Sequence, residues 1–297
     1  MFASTKLLIK ELRSLLGRLF DFVPEYSSID WETSRAAMWA DTPVGGHFIA
    51  HEDLDDIELE DLLWIDDQKA GIDLNTRQFL RQFPANNVLL WGARGTGKSS
   101  LIHALLNRYH GNGLRLVEVN KSLLVALPQI VLRLRKEPYR FILFCDDLSF
   151  EADDASYKVL KSALEGSVFK ASSNVLIYAT SNRRHLLPEY MTDNQQTSVV
   201  DGELHESEAV EEKISLSDRF GLWFSFYPFR QDSYLDVVEH WVNKLSRRYG
   251  IDLTYDKDVR EEALRWALAR GVRSGRTAQH FARHWVGGFL LESDQSR

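Results

Sequence analysis

The chain has 297 residues, 44% apolar and 27% charged, which is the composition of a folded globular protein and excludes a disordered, collagen-like or rod-shaped one. A net charge of −7, from 36 basic and 43 acidic residues, gives the surface as a whole no attraction for nucleic acid, so any such contact needs a local basic patch. The one cysteine, Cys145, excludes an intramolecular disulfide and a cysteine-cluster metal site, and it fits a reducing cytoplasm.

No run approaches about 18 consecutive apolar residues, so no membrane span is expected. Leu8, Leu12, Leu15, Leu16 and Leu19 recur at helical spacing and predict an amphipathic helix, docked on the chain's own core or on a neighbouring subunit. Lys6, Lys10, Arg13 and Arg18 leave a membrane-surface helix as the sharper alternative. Residues 20–60 are rich in Trp, Asp and Glu with weak periodicity, and 1–60 as a whole reads as a helical or irregular extension. Nine acidic residues and no basic one fall between Glu52 and Asp67, a solvated face or linker, with an acidic docking surface as the second reading. A helical pattern then runs from Leu62 to Phe83 and stops at Pro84.

Short apolar runs follow. Val88–Trp91, Leu114–Val119, Phe141–Cys145, Val175–Ala179 and Leu222–Tyr227 predict five strands. Helical patterns lie between them at Lys98–Tyr109, at Ser122–Lys136 with a start or kink at Pro128, and from an Asp153 or Asp154 cap to Gly166. Strands alternating with helices predict a parallel α/β sheet covered on both faces. Residues 194–213 are polar and acidic and predict a long exposed loop. Three amphipathic stripes after Pro228 predict a small helical bundle, so the chain divides into 1–60, an α/β domain at 61–228 and a helical domain at 229–297.

The chemistry is carried first by Gly92-Ala93-Arg94-Gly95-Thr96-Gly97-Lys98-Ser99, which fits the phosphate-loop pattern G-x-x-x-x-G-K-[ST] between a strand and a helix. The glycines let successive N–H groups face phosphate oxygens, and the following helix adds its positive dipole end. Lys98 supplies charge for the β- and γ-phosphates, and the Ser99 hydroxyl is a hard oxygen ligand for Mg2+. Candidate nucleotide contacts are these eight residues and Ser100. The strand Phe141–Cys145 delivers Asp146 and Asp147 to the sheet edge where α/β folds bind ligands. Asp146 would hold the metal through water, and Asp147 would orient the attacking water. Cys145 reads as a small buried strand residue. Asn182, after the fourth strand, can place that water and touch the γ-phosphate, or simply make a turn. Arg219 and Arg276 are either plain surface arginines or groups that neutralise a transferred phosphoryl.

Taken in order, the phosphate loop, the Asp146-Asp147 strand, Asn182, Ser217-Asp218-Arg219-Phe220 and Gly275-Arg276-Thr277-Ala278 resemble the AAA+ ATPases over about residues 60–290. The resemblance implies a three-layer α/β/α P-loop domain with a five-stranded parallel sheet of order 5-1-4-3-2 and a small C-terminal helical lid. It implies that Asn182 is sensor 1, Arg276 the sensor 2 arginine of the lid, and Arg219 the arginine finger acting on ATP in the neighbouring subunit. It also implies that Leu63–Lys69 lies against the adenine. The stretches Asn86–Ser100 and Phe144–Glu151 look most like a bacterial AAA+ group, the domain of unknown function 815 family. Asp146-Asp147-Leu148 and the Arg219 motif are similar as well to replication initiators and helicase loaders.

One departure is Asp147, where most AAA+ proteins have Glu. It is one methylene shorter, which points to slow turnover. No substrate-threading motif follows the second strand. The expectation is therefore a cytoplasmic, Mg2+-dependent ATPase that assembles as a homo-oligomeric ring or filament and remodels or loads a macromolecular partner, a protein of unknown identity. The alternative is a slow switch or loader whose ATP state controls partner binding. The lid arginines 247, 248, 260, 265, 270, 273 and 283 raise nucleic-acid binding, but Asp252, Asp256, Asp258, Glu261 and Glu262 interleave with them and favour a solvated surface.

Overall fold

The computed structural model describes residues 29–295, apart from 43–44, 53, 151–153, 166–172, 184–185, 187–197, 201–202 and 206–215. The expected N-terminal amphipathic helix lies outside the described residues. The strands are β1 (Ala36–Ala40), β2 (His47–Ala50), β3 (Val88–Gly92), β4 (Leu114–Glu118), β5 (Arg140–Cys145), β6 (Val175–Ser181), β7 (Ser198–Val200), β8 (Glu203–His205) and β9 (Leu222–Phe226). The helices are α1 (Asp66–Leu80), α2 (Lys98–Tyr109), α3 (Leu127–Leu134), α4 (Ala155–Leu164), α5 (Gln231–Tyr249), α6 (Lys257–Arg270) and α7 (Gly275–Gln295).

Seven strands form the main sheet in the order β2-β1-β4-β5-β6-β3-β9. The five expected strands are parallel and stand in the expected 5-1-4-3-2 order. The count is corrected to seven, because part of the extension read as helical or irregular adds two strands at the β4 edge. There β1 pairs parallel with β4, and β2 pairs antiparallel with β1. Arg115 ties this addition to the core: its Nε donates to the Trp31 carbonyl at 2.7 Å while its guanidinium lies 4.1 Å from the Tyr139 ring centre. The polar stretch read as one long loop contains the small antiparallel hairpin β7–β8.

Side chains alternate across the strands and fill two apolar layers. Val88, Leu90, Leu116, Ile142 and Phe144 pack with α1, α2 and the three C-terminal helices. Leu89, Val117, Phe141, Leu143 and Cys145 pack with α3, α4, Trp31 and Trp39. Local chemistry sets the helix ends. Asp154 caps α4 by accepting from the Ser156 N–H at 3.0 Å, and Pro128 sits in the first turn of α3, where its missing N–H costs nothing. Of the start or kink expected at Pro128, the structure has the start: a 3-10 helix (Lys121–Ala126) leads into α3 there. Gly250 and Gly271 close α5 and α6 in the left-handed conformation. No described helix is long and apolar enough to cross a membrane.

Candidate functional site

The turn from β3 into α2 is the sequence-predicted phosphate loop, and two of its glycines are forced by their neighbours. Gly92 has φ 130°, and a Cβ there would lie 2.0 Å from the Phe226 carbonyl oxygen. Gly95 has φ 74°, and a Cβ would meet Ser274 Oγ at 2.8 Å. The Gly95 carbonyl accepts from the Arg276 N–H at 3.1 Å, so the loop apex touches the start of α7.

Lys98 opens α2 and is 7% exposed. Its Nζ donates to the carbonyls of Gly92 (2.9 Å) and Ala93 (2.7 Å) and reaches Asn182 Oδ1 at 3.4 Å. Burial pulls its pKa below the usual lysine value, Asp146 and Asp147 push it back up, and Arg276 and Arg94 lower it again. Ser99 Oγ donates to Asp146 Oδ1 at 2.7 Å, and Thr180 Oγ1 donates to the same oxygen at 2.5 Å. Asp147 has φ 51°, a left-handed conformation rare for a residue with a side chain. Its N–H donates to Thr180 Oγ1 at 2.8 Å, and its carboxylate accepts from Asn182 Nδ2.

These groups line one cleft of about 640 Å³. Arg94 through Ser100, Asp146, Asp147, Asn182 and Arg276 all face it. Gly92 and Ala93, the first two residues of the loop, contribute the carbonyls that hold Lys98. The other end is mostly apolar, with Leu62, Leu63, Ile65, Val237 and Trp241, and Asp61 lines it beside Leu62. The cleft thus joins a charged end to an apolar end, as a nucleotide's phosphates and base require. Of Leu63–Lys69, the segment expected against the adenine, Leu63 and Ile65 line the cleft, while Gln68 bonds the Ser225 carbonyl and Lys69 pairs with Asp66.

Arg219 is not brought into this cleft. Its Nε and Nη2 both bond Glu165 Oε1, at 2.9 and 2.7 Å, at the end of α4. Two residues escaped the sequence reading. Thr180 sat unremarked in Ala179-Thr180-Ser181-Asn182, although parallel pairing of Cys145 with Ala179 puts it beside Asp146. Asp61 was counted in the solvated acidic run, yet its side chain is 3% exposed. It accepts from His240 Nε2 (2.9 Å), Lys244 Nζ (2.5 Å) and the Glu58 N–H (2.8 Å). Burial alone would raise its pKa, but these partners outweigh burial and hold it at about 2.

The Ser99 hydroxyl and the Asp146 carboxylate are hard oxygen donors at a helix N-terminus, a set that suits Mg2+. Among the described residues no group of three or more His, Cys, Asp or Glu could hold a metal. Mg2+ commonly binds through one or two carboxylates plus substrate phosphates, so the donor set fits.

The fold has solved counterparts. A RuvB point mutant from Thermotoga maritima superposes with TM-score 0.54 at 16% identity, covering 80% of this chain and 67% of that one. Another gives 0.51 at 17%, over 76% of this chain and 63% of that one, so this chain spans less than two thirds of that relative's length. The ORC1 protein of Aeropyrum pernix, solved in complex with DNA, gives 0.52 at 16%, over 78% of this chain and 61% of that one. At such identities the likeness is one of fold, that of the AAA+ ATPases. No curated protein matches the sequence. The model of the family "Protein of unknown function (DUF815)" matches residues 32–289, and with the AAA+ fold and the cleft above, the chain belongs to that family.

Proposed function

We propose that the protein binds ATP with Mg2+ in this cleft and hydrolyses it slowly, as a homo-oligomer that remodels or loads a macromolecular partner. The observation that carries this reading is the convergence of Lys98, the Ser99–Asp146 pair and the Asp147–Asn182 pair at the charged end of one cleft. The phosphate loop and Lys98 bind and orient the triphosphate. Ser99 and Asp146 would hold Mg2+, which when bound neutralises charge on the phosphates. Asp147 orients the attacking water, Asn182 reports on the γ-phosphate, and Arg276 brings the lid onto it. Arg219 completes the site of a neighbouring copy, which is consistent with its place outside the cleft of its own chain. The ATPase unit is 61–228 and the lid 229–297, with 1–60 as an extension whose strands join the sheet. The setting is the cytoplasm.

The test is ATP hydrolysis per protomer across a hundredfold range of protein concentration. Specific activity that climbs with concentration, and a climb that Arg219→Ala flattens, support a shared site. Constant activity unaffected by Arg219→Ala rejects the shared site.

One observation favours a second reading, a nucleotide-controlled switch or loader. Asp147 is short, and its carboxylate is already engaged by Asn182. ATP binding without turnover, together with ATP-dependent capture of one stable partner, would move this reading ahead.

A further inference from the structure

We infer that Thr180 is a positioning residue for Asp146, and that its hydroxyl helps set how tightly the site takes a divalent cation with nucleotide. This rests on the ATP–Mg2+ reading above and deepens it. Thr180 is the penultimate residue of β6 and is 1% exposed. A hydroxyl has one proton to give and two lone pairs to receive. The Asp147 N–H occupies a lone pair at 2.8 Å. The proton goes to Asp146 Oδ1 at 2.5 Å, since an ionised carboxylate can only accept. The direction of both bonds is therefore fixed, and the β-branched side chain is stiff about χ1.

The backbone on either side is fixed as well. Leu148 N–H donates to the Thr180 carbonyl at 2.7 Å, and Ser181 Oγ donates to the Leu148 carbonyl at 2.7 Å. The end of β6 thus clamps the whole turn that presents the two acids, including the left-handed Asp147. Asp146 Oδ1 has two donors of different kinds. Ser99 is the hydroxyl that a cation would recruit. Thr180 is buried and committed to the turn, so it keeps the carboxylate oriented when Ser99 changes partner. Loss of an outer-shell partner of this kind costs about 10–100-fold in metal affinity.

The experiment is a titration of a fluorescent ADP analogue against the full chain, first in EDTA and then across Mg2+ concentrations, for wild type, Thr180→Val and Thr180→Ser. The Mg2+ midpoint for the gain in nucleotide affinity should rise about tenfold or more in Thr180→Val and return to within about twofold of wild type in Thr180→Ser. Affinity in EDTA should stay within about threefold throughout, a loss small beside the metal effect. An unchanged midpoint in Thr180→Val overturns the inference. So does a Thr180→Ser protein as impaired as Thr180→Val, since a hydroxyl at this position would then not be enough to restore the site. A loss in EDTA as large as the loss in Mg2+ overturns it too, since the loop itself would then be disturbed. If thermal melting shows Thr180→Val unfolded, Thr180→Ala against Thr180→Ser decides by the same readout. A wild-type protein that gains no affinity from Mg2+ sinks the ATP–Mg2+ reading itself, whereas a gain that Thr180→Val keeps in full sinks only this inference.

Discussion

The two ends of the cleft handle buried charge in opposite ways. At the phosphate end, Lys98, Ser99 and Asp147 are satisfied by partners that a ligand can replace: loop carbonyls, a neighbouring carboxylate and a side-chain amide. At the far end Asp61 is closed in by His240, Lys244 and a backbone N–H, all from the protein and all short. The first arrangement is provisional and the second is finished. A buried carboxylate with a full set of partners holds structure together, whereas a lysine resting on main-chain oxygens is ready to exchange them. The difference lies in the partners and not in the residue types, because aspartate and lysine serve at both ends.

Substitutions at each end sharpen that contrast. The largest expected effect is on turnover. Asp147→Asn should keep nucleotide affinity and lose about 1,000-fold in hydrolysis, read as single-turnover rate and calorimetric Kd, since a positioned base contributes roughly 100–10,000-fold. Lys98→Ala should weaken ATP binding by about 100-fold or more by calorimetry while the protein stays folded, because its partners are carbonyls that water can satisfy. If unfolding accompanies that loss, Lys98 belongs with the finished end.

Asp61→Asn should leave ATP contacts in place and cost about 2 kcal/mol of stability in chemical denaturation at neutral pH. The sign follows from its depressed pKa. The folded value of about 2 lies below the usual 3.8, so the stabilisation is present above about pH 4 and fades as the pH falls toward 2. The gap between wild type and Asp61→Asn should therefore close in acid. A gap that stays constant with pH would assign the effect to packing. The smallest effect belongs to Trp64→Phe. It removes the 3.1 Å bond from Nε1 to Asp236 at a ring that is 56% exposed, and should cost under about 1 kcal/mol.

The five central strands were legible because burial on both faces writes them as unbroken apolar runs such as Phe141–Cys145. The added strands were not. β1 reads Ala-Ala-Met-Trp-Ala, and alanine has little preference for strands and so does not announce one, while β2 has only four residues with Ile49 facing outward. The phosphate loop was legible because its chemistry restricts residue type position by position. Asp61 and Thr180 were hidden for a different reason. Each acts through partners remote in sequence, Asp61 through a helix nearly 180 residues away and Thr180 through a strand end 34 residues away. Only the strand register, Cys145 beside Ala179, could have exposed Thr180, and that register is a property of the sheet. Arg219 was legible as a motif but not as a place, since its partner Glu165 belongs to no motif.

The touch between Gly95 and the start of α7 has a mechanical meaning. That helix has 21 residues, which at 1.5 Å per residue makes a rod of roughly 31 Å pivoted at the phosphate loop. A tilt of about 10° at the pivot would sweep the far end through roughly 5 Å, by the same rise per residue. If the proposed ATP reading holds, a small adjustment of the loop around a γ-phosphate would be passed to this helix and enlarged at its far end.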